Sequence, residues 1–172
     1  GFDNDTVRTF DLQYNFINQS GIQAAMIGLL TAIPKTPLYD RLEKEGRLMP
    51  DATSSTDNTK LRTNVIPKQM SYEEMVNGYR DLYYRLLEDR TIADRIINKT
   101  RYLKDPIYRN VYPFRTQLKS LAKFIFRGVI PGGPNRIYHF LRSIPYSKPN
   151  QLHVVIQDWV VGVAMKDYVD RH

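Results

Sequence analysis

The hydrophobic pattern of the first fifty residues changes period twice. Val7, Phe10, Leu12, Tyr14, Phe16 and Ile17 recur at roughly helical spacing behind Asp5 and Thr6. Either of these two can cap a helix, and Gly21 is placed to end it in a left-handed conformation. Residues 22–33 are then almost continuously apolar. A run of that length directly after a helix and a glycine predicts a buried parallel strand. Pro34 and Pro37 punctuate its end. Thr36-Pro37 predicts a short helix over 38–45, with proline at the first helical position and Gly46 at the stop.

The pattern then lapses. Residues 50–59 are polar and short-sided, so 50–68 reads as a loop or mobile connector. Ser71 followed by Glu74 is a capping box. It predicts a helix from residue 72 to about 90, with Met75, Tyr79, Leu82, Tyr83, Leu86 and Leu87 at helical spacing. A further helix over 91–103 is expected to stop before Asp105-Pro106. Residues 113–127 read as an amphipathic helix, with Leu118, Leu121, Ala122 and Ile125 on one side. Lys119, Lys123 and Arg127 repeat every four residues on another. Pro131-Gly132-Gly133-Pro134 predicts a hard break. Helices over 135–143 and 149–169 complete the chain, and no internal repeat is visible.

This pattern implies a mainly α fold: a helical domain preceded by the tail of an α/β unit. The expected divisions are 1–49 for the α/β tail, 50–70 for the connector and 71–172 for the helical domain. The strand at 22–33 needs neighbours, because a bare apolar edge invites association. It is expected to pair in a small or dimeric sheet, or to be covered by helices.

Composition narrows the chemistry. The 172 residues contain no cysteine, which removes disulfides, thiolate nucleophiles and Cys-ligated iron–sulfur clusters from this chain. His139, His153 and His172 are too scattered to suggest a metal cage, so neither a metal site nor a catalytic residue is assigned. The apolar runs are too short to span a bilayer. With no signal peptide visible, a soluble cytoplasmic protein is expected, with membrane association as a variant. The chain starts on Gly rather than Met and is expected to be a piece of something longer. Net charge is +7, and residues 95–148 hold twelve Lys or Arg against the single acid Asp105. That imbalance favours anionic partners, although a solvated basic face is the commoner explanation.

In parallel α/β folds, ligands sit at the carboxyl ends of strands. On that logic residues 1–5 and 31–36 share one rim, where Gly1 permits close backbone approach. The run Gly1 to Thr6, then Phe10, Gln13, Phe16, Ile17, Gly21, Ile22 and Met26, leads into 28–34, Thr36, Pro37, Leu38, Tyr39, Arg41, Leu42 and 45–48. These positions resemble the end of a radical S-adenosylmethionine (SAM) barrel, and the resemblance implies that 1–49 is an α/β remnant of a partial TIM-like barrel. The likeness is strongest to the subgroup with an amino-terminal cobalamin-binding domain, which includes methyltransferases and enzymes acting on hopanoid lipids. Thr63, Asn64, Pro67, Met70, Glu73, Glu74, Gly78 and Tyr79 are similar to the helical extension that follows the barrel in that subgroup.

The resemblance implies a parent enzyme with a 4Fe-4S cluster on an upstream cysteine loop, SAM cleaved to a 5′-deoxyadenosyl radical, and cobalamin as a further candidate. None of these groups is held by this chain itself. Its partners would be the upstream barrel and cobalamin-binding domains of the same protein. Gly1 and Asp3 are implied neighbours of SAM. Where the family usually has glycine, this chain has Lys35. Lysine does not easily adopt a positive φ, so the turn is expected to differ. The other reading points Lys35 at an anionic ligand.

Two functions follow. In the first, the chain is a non-catalytic carboxy-terminal portion of a radical SAM iron–sulfur enzyme. It flanks the barrel, with Thr31, Lys35, Tyr79 and Tyr83 as substrate-side candidates. In the second, it is a basic binding module. Arg115, Lys119, Lys123 and Arg127, interleaved with Phe114, Phe124, Ile125 and Phe126, would meet an anionic membrane. Nucleic acid is disfavoured, because no groove-reading or RNA-binding motif is present.

Overall fold

The computed structural model describes residues 1–49, 63–104 and 113–171, and seven α-helices account for most of the described backbone. They are α1 (Arg8–Ser20), α2 (Pro37–Lys44), α3 (Tyr72–Leu86), α4 (Asp89–Tyr102), α5 (Phe114–Phe124), α6 (Gly133–Arg142) and α7 (Leu152–Arg171). The expected connector at 50–62, the Asp105-Pro106 stop, His172 and the side chain of Phe114 lie outside the described residues. The chain forms two compact units. One comprises Gly1–Asn15 and Met26–Tyr84, the other Phe16–Ala25 and Arg85–His172.

The helix ends follow local chemistry. Gly21 has φ 66°, and the Ile22 amide donates to Ile17 O while the Gly21 amide donates to Asn18 O. This pair of bonds closes α1 on its own last carbonyls. Gly46, also at φ 66°, ends α2 the same way, with the Arg47 amide bonded to Leu42 O at 2.8 Å. At the start of α2 the Thr36 hydroxyl accepts from the Tyr39 amide. The capping box at α3 is reciprocal. The Ser71 amide donates to Glu74 at 2.7 Å and the Glu74 amide donates to Ser71 Oγ at 3.1 Å. Hydrogen bonding from Ser71, its backbone amide first and its side chain second, holds the Glu74 carboxyl below its usual pKa. Such a cap contributes roughly 1 kcal/mol.

The strand expected over 22–33 does not form, and no strand occurs among the described residues. A strand exists only through a ladder with a neighbour, and the described chain supplies none. The segment runs extended without secondary structure, leaving Met26 92% exposed and Ile33 54% exposed. Its covered end, Ala32, is fully buried with Leu42 and Val65, and Leu30, Leu38, Tyr39 and Leu48 pack around them. The single β-bridge in the described residues, Leu48 with Val65, brings 47–49 against 64–66. Part of the expected connector is therefore packed, with Thr63, Asn64 and Val65 all buried.

In the second unit, α4, α6 and α7 pack around Ile92, Ala93, Ile96, Val129, Phe140, Val155 and Trp159. Trp159 is fully buried, meets the edge of Phe140 at 5.8 Å and donates its indole N–H to Ser143 Oγ at 2.8 Å. Gly162 lets α7 approach α4, since a Cβ there would lie 3.0 Å from Ile92 Cδ1. Arg136 joins Asp89 at 2.8 Å and also caps Gly128 O at 2.8 Å.

Further helix boundaries and orientations need correction. The helix predicted to run to residue 90 ends at Leu86, and α4 starts at Asp89 rather than 91. The basic helix does not continue regularly to Arg127. It widens into a π turn over Ile125–Val129 and tightens to a 3-10 turn over Ile130–Gly132. The Pro-Gly-Gly-Pro break lasts one residue: Gly133 at φ 78° redirects the chain and Pro134 sits in the first turn of α6. The helix α5 is also rolled from its expected orientation. Leu121 and Ile125 are half-buried as predicted, whereas Leu118 and Ala122 face solvent. Phe124, Gly128 and Val129 set the inner face instead.

Candidate functional site

Two features of the first unit gather the polar groups that sequence reasoning singled out. The first is the loop 1–5 with its arginines. The Phe2 amide donates to Asp5 at 2.8 Å and the Asp5 amide to Phe2 O at 3.0 Å, which folds the loop on itself. Arg47 donates to Asp3 at 2.8 Å and to Glu45 at 2.9 Å, and Arg41 reaches Asp3 at 3.2 Å. The Arg47 hydrogen bond, with Arg41 behind it, holds the Asp3 carboxyl below the usual carboxylate range. Arg47 is itself fixed by donating its Nε to Ile66 O, and Gln69 donates to Asp3 O, both at 2.9 Å. The bridge at Leu48 and Val65 puts these groups in register.

The second feature is a substitute for a β-ladder. Tyr79 and Tyr83, one turn apart on α3, both donate to Ile27 O at 2.8 Å. The Ile27 amide donates to Tyr83 Oη at 3.2 Å. Further along, Thr63 donates to Leu30 O at 2.5 Å. Asn64 accepts from the Ala32 amide and donates to Ala32 O, both at 2.8 Å. Side chains thus do for 27–32 what a neighbouring strand does in a sheet. Buried backbone groups need such partners, because leaving one unpaired costs roughly 1–3 kcal/mol.

The tyrosine rings meet edge to face at 5.0 Å. Burial, with the Tyr83 hydroxyl beside it, pushes the Tyr79 phenol well above its ordinary pKa. Tyr79 therefore stays protonated through the neutral range and serves as a donor.

The structure brings some predicted residues together and leaves others apart. Gly1, Asp3, Thr31, Lys35, Tyr79 and Tyr83 all belong to the first unit. Gly1 packs closely: a Cβ on it would lie 3.0 Å from Leu30 Cβ and 3.6 Å from Met75 Sδ. Thr31 is half-buried between the two anchored residues Leu30 and Ala32. Lys35 corrects an expectation, for it adopts φ 67°. The turn keeps the left-handed geometry that glycine would adopt freely, and the exposed lysine carries the strain. The neighbouring bond from Thr36 Oγ1 to Ile33 O at 2.7 Å spans that turn. Arg115, Lys119, Lys123 and Arg127 lie in the second unit and are exposed.

Sequence reasoning had not given site roles to Arg41, Arg47, Thr63, Asn64 and Gln69. The last three sit in or beside the stretch that composition marked as a connector. Among the described residues, no group of acidic, histidine or cysteine side chains could hold a metal ion. No helix among them is long and apolar enough to cross a membrane.

Residues 36–171 match the family described as a domain of unknown function, DUF4070. The chain belongs to this family. It is 35% identical over 95 residues to the hopanoid C-2 methylase of Rhodopseudomonas palustris, covering 55% of this chain and 16% of that protein. It is 24% identical over 189 aligned positions to an uncharacterized methyltransferase of Synechocystis sp., covering 99% of this chain and 35% of that protein. The chain thus spans well under half the length of either relative. No solved structure matches it.

Proposed function

We propose that this chain is the non-catalytic carboxy-terminal portion of a radical SAM iron–sulfur enzyme of methyltransferase type, flanking the barrel and shaping its substrate side. The observation that carries this reading is the apolar segment 26–33. Its backbone is anchored along one line by Tyr79, Tyr83, Thr63 and Asn64, while Met26 and Ile33 face out. That is the form a terminal barrel strand takes when its strand neighbours belong to another part of the protein. The two methyltransferase relatives, both much longer than this chain, support the same reading.

The cofactors test it unevenly. A Cys-ligated cluster does not fit here, because the chain has no cysteine. Its ligands would belong to the upstream barrel. On this reading SAM, cleaved reductively in that barrel, lies on the side of residues 1–5. Asp3 is already neutralised by Arg47 and Arg41, so its part is to fix the loop while Gly1 keeps the backbone close-packed. Tyr79 and Tyr83 position the strand rather than exchange protons. Cobalamin enters through family resemblance, as a partner domain of the same protein.

The test is to express the chain with the upstream residues of its own reading frame, reconstitute iron anaerobically and record electron paramagnetic resonance with and without SAM. A four-iron signal perturbed by SAM, with 5′-deoxyadenosine formed on reduction, is the expected result. An upstream sequence without a cysteine triad, or no cluster signal, overturns the proposal.

A further inference from the structure

The exposed side of α5 carries two parallel rows. Arg115, Lys119, Lys123 and Arg127 repeat at every fourth residue and are all exposed. Beside them run Leu118, Ala122 and Phe126, also four apart, followed by Ile130. Leu118, Phe126 and Ile130 are 54%, 69% and 47% exposed, which is unusual for three large apolar side chains in one row. Four-residue spacing places Arg115, Lys119 and Lys123 along one face of α5 and Leu118 and Ala122 along the face beside it, and Phe126, Arg127 and Ile130 follow in the π and 3-10 turns. The opposite face is already used, since Phe124 and Val129 enter the second unit's core. The Lys and Arg of the row form no ion pair among the described residues, and no acid occurs anywhere in 106–157.

We propose that this face of α5 and its π turn is a peripheral docking surface for an anionic phospholipid membrane. A bilayer interface accepts both rows at once: ammonium and guanidinium groups reach lipid phosphates while the apolar row enters the acyl boundary. Other occupants match less well. A second copy would set four cations against four cations. Nucleic acid would satisfy the basic row but strand Leu118 and Ile130 in water, and one aromatic ring is no stacking platform. This surface lies in the second unit and is independent of the iron–sulfur reading above.

The probe is vesicles of phosphatidylcholine with and without 30 mol% phosphatidylglycerol, mixed with the 172-residue chain in a flotation assay. Binding to the anionic vesicles at least tenfold tighter than to neutral ones is expected. Removing one cation near such a surface weakens binding roughly fivefold. Lys119→Gln with Lys123→Gln should therefore lose about 25-fold, and Phe126→Ser about tenfold. Lys44→Gln, an exposed cation in the first unit, should change nothing. All four positions are exposed, and circular dichroism confirms that the variants fold. The proposal is overturned by equal affinity for neutral vesicles, by no vesicle binding, or by an equal loss in Lys44→Gln. Duplex nucleic acid binding that Phe126→Ser leaves untouched overturns it as well.

Discussion

Replacing Asn64 with alanine isolates the device that holds the extended segment. Its amide makes two 2.8 Å bonds, one to each backbone group of Ala32, and both residues are buried. The substitution leaves a buried N–H and a buried C=O without partners. Each costs roughly 1–3 kcal/mol, and some relaxation toward solvent is available at the exposed neighbour Ile33. A combined loss of about 2–4 kcal/mol follows. Because the chain forms two units, a global unfolding midpoint would blur this local effect. Amide hydrogen exchange at Ala32 reads it directly. A loss of that size accelerates exchange by a factor of tens to several hundred. Protection in α4 and α7, which belong to the other unit, should stay unchanged. If Ala32 exchanges less than about threefold faster in a folded variant, Asn64 does not hold the segment, and the side-chain ladder is refuted.

Lys35→Gly should raise thermal stability by about 0.5–1 kcal/mol, because glycine occupies φ 67° without strain; Lys35→Val should lower it. Asp3 has a folded pKa below its unfolded one, so its contribution is complete above about pH 4 and fades as pH falls through the depressed value. Asp3→Asn should accordingly destabilise the first unit at pH 7 and make its urea midpoint less sensitive to acid below pH 4. Gly78→Ala places a Cβ 2.5 Å from the Phe10 ring and should cost about 1–3 kcal/mol in denaturant titration, with Phe10→Leu restoring part of the loss.

What sequence could disclose was set by how local the cause was. The Ser71–Glu74 box and the terminating roles of Gly21 and Gly46 depend on contacts within five residues, and each was legible. The segment 22–33 was not, because a strand is defined by a partner that periodicity does not see. Apolarity alone distinguishes neither a laddered strand from an extended coil nor one from the other's neighbours. The anchoring role of Thr63 and Asn64 was not legible because short polar residues look alike whether they solvate a loop or bind a buried backbone. Lys35 misled in the opposite direction: residue preference argued against a turn that its surroundings impose. The roll of α5 depends on which apolar residues the second core selects, and the π turn at Ile125 leaves no mark in a 3.6-residue pattern.

We propose that 26–33 is an incomplete strand, held by side chains in this chain and laddered by barrel strands in a longer protein. Hydrogen exchange over this segment, compared between the 172-residue chain and the protein extended upstream in its reading frame, tests it most directly. In the chain alone, the amides of Ile27 and Ala32 should be protected by Tyr83 and Asn64, while those of Gly28 to Thr31 exchange fast. In the extended protein the intervening amides should become protected as well. Equal exchange in both proteins would contradict the account.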